Sequence, residues 1–205
     1  MTFSNGGGNK QRFPWSPQNR SVQKILNSAR ACAKKNRFNQ FHKVLKPLIS
    51  QENPEALFLA AEFSRPRESE KDYERRYVEY IQRAAARDYP PALHALGTFY
   101  DLGDAVPVIP IDKKRAAQIF KRGADLKHAC CQYSHALDLL YGANGIEKDV
   151  PVGLALLQES VNAKCGGSLR LLAHLHEKGE FGLPVDLAKV AALRMAAEQD
   201  DVICF

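Results

Sequence analysis

No stretch of this 205-residue chain approaches the roughly 18 consecutive apolar residues of a membrane span. Nothing near Met1 has the apolar core and small-residue cleavage site of a secretory leader. The cysteines are few, odd in number and irregularly spaced: Cys32, Cys130, Cys131, Cys165 and Cys204. They do not read as a disulfide framework, and the expected compartment is a reducing cytoplasm, or the periplasm if a leader has been removed. Acidic residues are missing from positions 1–51, which hold ten of the 29 Lys and Arg; Glu52 is the first acid. The remaining residues carry 19 basic and 23 acidic side chains, a net of −4, so the overall charge of +6 belongs to one end. Three readings fit that end: a solvated helical face, a handle for an anionic partner such as RNA or a membrane surface, and a transit-type segment. Alternating strand patterns are absent as well. The short apolar AVPVIP at 105–110 is broken by Pro107 and Pro110 and reads as a loop.

What is present is helical periodicity. Val22, Ile25, Leu26 and Ala29 recur at three- and four-residue spacing, as do Phe38, Phe41, Leu45 and Leu48. Before them, residues 1–17 hold three successive glycines and two prolines and read as a flexible basic arm, with Phe13 and Trp15 as docking points. Beyond Asn53 the pattern repeats. Ala92, Leu96, Gly97 and Tyr100 are echoed by Ala56, Ala60, Ala61 and Ser64, by Gln132, Ala136, Leu137 and Leu140, and by Ser168, Leu172, Ala173 and His176. In the third of these units Tyr141 competes with Leu140 for the aromatic slot. Turns follow, DLGDAVPVIPID, YGANGIEKD and EKGEFGLPVD, ending at Asp112, Asp149 and Asp186, each placed to cap a second helix. A two-helix unit of this length cannot bury its apolar stripe alone, so neighbouring units must stack.

These residues resemble the Sel-one-like repeat (SLR) family, relatives of the tetratricopeptide repeats. The likeness rests on Ala92, Leu96–Gly97, Tyr100, Gly103, Asp112 and the Ala84–Ala85 helix end, and on Leu172, Ala173, Gly179, Asp186 and Ala196–Ala197. The third unit departs from it at Leu137 and Ala143, and the first in its polar linker SRPRESEKD. The resemblance implies an all-α, right-handed α-α superhelical solenoid of helix-turn-helix repeats. One solenoid domain is expected over 18–205, with a divergent capping helix pair at 18–51, about four repeats at 53–200 and a tail at 201–205. Gly97, in a slot otherwise small, is expected to permit close helix approach. Leu137 in the same slot is expected either to widen the helix spacing or to mark a register shifted by a residue in the third unit.

The resemblance places partner-facing positions on the first helix of each unit. These are Phe58, Glu62 and Arg65; His94, Thr98 and Asp101; Ser134, Asp138 and Tyr141; Arg170, His174 and Glu177. Their acidic balance is not that of a nucleic-acid track, which wants a basic stripe with stacking aromatics. It suits a polypeptide, and a basic one. The resemblance implies a non-catalytic adaptor, or a bacterial immunity protein that neutralises a secreted, type VI-like and lipase-class effector. Binding of RNA or an anionic surface through residues 1–51, with Lys34, Lys35 and Arg37, is the further alternative. No catalytic residue, metal or cofactor is expected. His128, Cys131 and His135 share a helical side but lack a fourth ligand, His174 and His176 do not share a face, and GGGNK at 6–10 has no preceding strand to make a phosphate loop.

Overall fold

The computed structural model describes residues 19–103 and 109–199. The basic arm at 1–17, the tail at 201–205 and most of the apolar loop lie outside these residues. Among the described residues there are ten α-helices and no strand: α1 (Arg20–Lys34), α2 (Phe38–Ser50), α3 (Pro54–Ala61), α4 (Glu70–Ala85), α5 (Pro90–Leu102), α6 (Lys113–Asp125), α7 (Ala129–Tyr141), α8 (Val150–Asn162), α9 (Gly166–Lys178) and α10 (Leu187–Gln199).

Local chemistry sets most of these boundaries. Asn19, Asn53 and Ser69 cap α1, α3 and α4 through side-chain oxygens that accept from Ser21, Ala56 and Asp72 backbone N–H groups. Asp112, Asp149 and Asp186 do the same for α6, α8 and α10, accepting from Arg115, Val152 and Lys189 N–H at 3.0, 3.1 and 2.9 Å. At the other end, α5, α7 and α9 stop at Gly103, Gly142 and Gly179, all in the left-handed conformation that glycine adopts without strain.

Consecutive helices form antiparallel pairs, α1–α2 through α9–α10, and pairs stack in chain order. Helices α5, α7 and α9 also touch each other in sequence, whereas α6, α8 and α10 pack chiefly on the first helices beside them. The first helices therefore make the inner, shorter-radius layer and the second helices the outer one. Two apolar cores run between the layers. One joins Leu26, Phe41, Leu45, Leu57, Ile81, Leu93 and Phe120; the other joins Ala136, Leu140, Leu157, Leu172 and Leu175.

The α3–α4 turn lacks glycine and is held by a buried ion pair. Arg76 donates to both Glu68 carboxylate oxygens, at 2.7 and 2.8 Å, and to the carbonyls of Ala60 and Phe63 at 2.6 and 2.9 Å. Both side chains are more than nine-tenths buried, and the Arg76 hydrogen bonds hold the Glu68 carboxyl down at about 2. The polar linker that departs from the repeat pattern is thus fastened to α4 by its own charges.

Gly97 sits where close approach was expected: a Cβ there would press into the Phe120 ring of α6, 2.7 Å from Cδ1. At Leu137 the register is shifted and the slot is not widened. Aligned on the capping glycines, α7 matches α5 through Cys131, His135, Ala136 and Leu139, one residue earlier than the spacing pattern suggests. Ala136, fully buried, fills the small slot. In the α5–α6 loop, Ile109 is buried and Ile111 is exposed. The described cysteines, Cys32, Cys130, Cys131 and Cys165, are all buried.

Candidate binding surface

The inner layer presents three rows of side chains, and they have different employment. The row of Phe58 and His94 joins one pair of helices to the next. Phe58 packs on Tyr89 at the start of α5, with ring centroids 5.5 Å apart, and His94 packs on His128 at the start of α7, 5.8 Å apart. Burial, with a contribution from His128, pushes His94 down to about 4, so it is neutral at pH 7. In α7 the corresponding residue is Tyr133, whose ring lies over Gly167 in the first turn of α9, and not Ser134 beside it. The matching residue in α9, Arg170, is exposed.

The opposite row faces away from the inner surface. Arg65 leaves it altogether and donates to the Tyr80 hydroxyl of α4 at 2.7 Å. Asp101 is half-buried near Asp138, and Glu177 accepts from Arg194 of α10 at 3.0 Å. In α7 the capping-glycine alignment puts Leu140, fully buried, in this row.

The central row remains: Glu62, Thr98, Leu137 and His174. Glu62 and His174 are exposed, and Thr98 and Leu137 are half-buried. Desolvation raises the Glu62 carboxyl; burial raises the Tyr73 and Tyr77 hydroxyls, and the nearby Glu62 charge adds to it. Thr98 donates to the His94 carbonyl at 3.0 Å, and His174 stands 3.7 Å from Glu180. Asp138, the residue assigned to this row from spacing, is only 5% exposed and accepts from Asn144 at 2.8 Å. Burial raises its pKa, the Asn144 bond opposes that, and Asp101 adds to it. At the helix ends, Leu102 and Tyr141 occupy equivalent positions before Gly103 and Gly142 and are 59% and 49% exposed. Tyr141 packs edge-on against Phe181. Sequence spacing missed Tyr133, Leu137 and Leu102; the capping glycines carried the signal that finds them.

The histidine–cysteine set does not converge. His128 caps α7, accepting from Cys131 N–H at 3.4 Å, Cys131 is fully buried against Gly123, and His135 faces Lys121 and Asp125 of α6. No group of three or more His, Cys, Asp or Glu among the described residues is arranged to hold a metal ion. His176 is buried, donating to the Pro184 carbonyl at 2.9 Å, while His174 is exposed. No described helix is long and apolar enough to cross a membrane.

An inner layer of first helices, an outer layer of second helices and glycine-capped turns define a helical-repeat solenoid. No family model and no curated protein matches the sequence. Solved structures do match. A Sel1 repeat protein from Oxalobacter formigenes superposes with a TM-score of 0.65 at 23% identity, over 78% of this chain and 64% of that one. The protein c5321, a protective antigen present in uropathogenic Escherichia coli strains and displaying an SLR fold, superposes with a TM-score of 0.61 at 17% identity, over 79% of this chain and 34% of that one. The fold is that of the Sel1-like repeat solenoids. This chain thus spans less than two thirds of either protein.

Proposed function

We propose that this chain is a non-catalytic helical-repeat protein that binds a protein partner through its inner layer. The observation that carries this reading is the pair of exposed apolar side chains, Leu102 and Tyr141, set at matching positions beside the open row Glu62–Thr98–Leu137–His174. Exposed large side chains at repeating positions on one face mark interaction surfaces. The partner supplies apolar side chains to Leu102 and Tyr141 and a cation to Glu62, which has no ion pair among the described residues.

The test is affinity capture with the wild-type chain and with Leu102→Glu/Tyr141→Ala, read by quantitative mass spectrometry. A partner enriched on the wild type should fall about ten-fold or more on the double variant, with an unchanged melting temperature. Equal recovery on both overturns the reading. Two finer forms are separated by what is recovered: a short linear segment that competes for the surface defines an adaptor, whereas a folded enzyme held in equal amount and silenced defines an immunity-type inhibitor. An Asp138→Lys variant is no probe of this surface, because it would place a charge in a buried site.

A further inference from the structure

A second feature lies on the outer layer. Between the C-terminal half of α2, the α3–α4 turn and the middle of α4 is a cavity of about 520 Å³, lined by His42, Lys43, Lys46, Ile49, Ser50, Arg65 and Tyr80. Lys43 and Lys46 stand one turn apart on α2 and make no ion pair among the described residues. Arg65 enters from the turn, and its guanidinium rests on the Tyr80 hydroxyl rather than on a carboxylate. The nearby acids are engaged elsewhere. Glu68 accepts from Arg76 Nε and Nη2 and from the Arg65 backbone N–H, and Glu52 and Glu79 are held by Arg83, at 2.5 and 2.7 Å. Three cations therefore face one concavity, and none of their side chains makes an ion pair among the described residues.

The neighbouring outer cavity, about 460 Å³ between α4 and α6, is a control within the same molecule. It also holds two arginines, but Arg122 is paired with Asp88, and Arg115 lies 4.4 Å from the centre of the Tyr100 ring. The two spaces share the same layer and differ in whether their cations already have partners.

We propose that the α2–α4 cleft binds a phosphate monoester. The chemistry of its wall fits a compact dianion. Two ammonium groups and the unused guanidinium nitrogens supply charge-assisted hydrogen bonds. The Tyr80 hydroxyl, already accepting from Arg65, has its own proton to donate. His42 turns Nε2 to the Ser64 carbonyl at 3.2 Å, and burial pushes its pKa down, so it contributes shape and no charge at pH 7. Ile49 and the Tyr80 ring leave an apolar wall beside the cations for the group that carries the phosphate. The site draws on the acid-free end of the chain and adds to it Arg65, about 20 residues further on, which no run of charge in the sequence marks.

The experiment is a two-dimensional amide NMR titration of the full chain, at about 50 mM ionic strength, with inorganic phosphate, O-phospho-L-serine, acetate and heparin as separate probes. Saturable shifts confined to residues 42–50, 64–65 and 80 are expected with phosphate or phosphoserine and not with acetate. Lys43→Glu/Lys46→Glu should weaken binding by about 100-fold, and Arg65→Gln by about ten-fold. All three side chains are exposed, so the fold is kept, and an unchanged melting curve checks that. Phosphoserine binding several-fold tighter than phosphate identifies a phosphorylated organic group as the ligand; equal affinity identifies free phosphate. Absence of saturation with either, equal response to acetate, unchanged affinity in the double variant, or binding of heparin alone overturns the proposal.

Discussion

Helix pairs α5–α6 and α7–α8 share a backbone plan and solve one packing problem in opposite ways. In the first, Gly97 faces Phe120; in the second, the equivalent positions hold Ala136 and Leu157. A larger ring is matched by a missing Cβ, and a smaller side chain by a restored one. The pair conserves combined volume while neither residue is conserved between units, as expected where interiors are close-packed. The glycine costs about 1 kcal/mol of helix propensity, and the Phe120 ring buried in its place contributes more than that. The α3–α4 unit differs again. It has no left-handed glycine to end its first helix, and the Arg76–Glu68 pair fastens its turn instead.

Breaking that fastening should have the largest effect. Glu68→Gln leaves Arg76 buried without its counter-charge and should cost about 3 kcal/mol, read by urea denaturation at pH 7. Glu68 sits at about 2 in the folded chain, below its ordinary 4.5, so its contribution is full above pH 4.5 and is lost as pH falls from there towards 2. The variant should therefore lose less stability than the wild type over that interval; parallel pH profiles would show that the pair does not fasten the turn.

Next comes the glycine comparison. Gly97→Ala should destabilise, because overpacking against the rigid Phe120 ring costs about 1–3 kcal/mol and the recovered helix propensity returns about 1. Adding Phe120→Leu recreates the Ala136–Leu157 arrangement and should restore most of the melting temperature. A Gly97→Ala chain more stable than wild type would mean that the ring has room to move. A smaller loss, about 1 kcal/mol, is expected from Asp149→Ala, which removes the α8 cap, with Asp112→Ala and Asp186→Ala close to it.

Much of the fold was legible in sequence because its determinants are local. Capping aspartates 37 residues apart, proline in the first turn of α5 and glycine after α5, α7 and α9 act within a few residues of themselves. The candidate surface was legible only in part. Counting from apolar slots placed Asp138 on the open row, and the structure places Leu137 there, because a one-residue shift on a helix rotates a side chain by about 100°. Phe58 and His94, on the first helices of their pairs, pack on the starts of α5 and α7. No pattern within one helix reports what the next helix presses against it.

The sequence by itself determined the repeat length, the helix boundaries and the all-α solenoid, since each follows from capping, turn chemistry and the 3.6-residue period. Tertiary structure decided the rest. It chose which inner residues stay open, engaged Glu68 with Arg76, and brought Arg65 to Lys43 and Lys46 across the α2–α4 cleft. Those outcomes depend on how side chains distant in sequence divide space and charge among themselves, and that division is settled only when the helices pack.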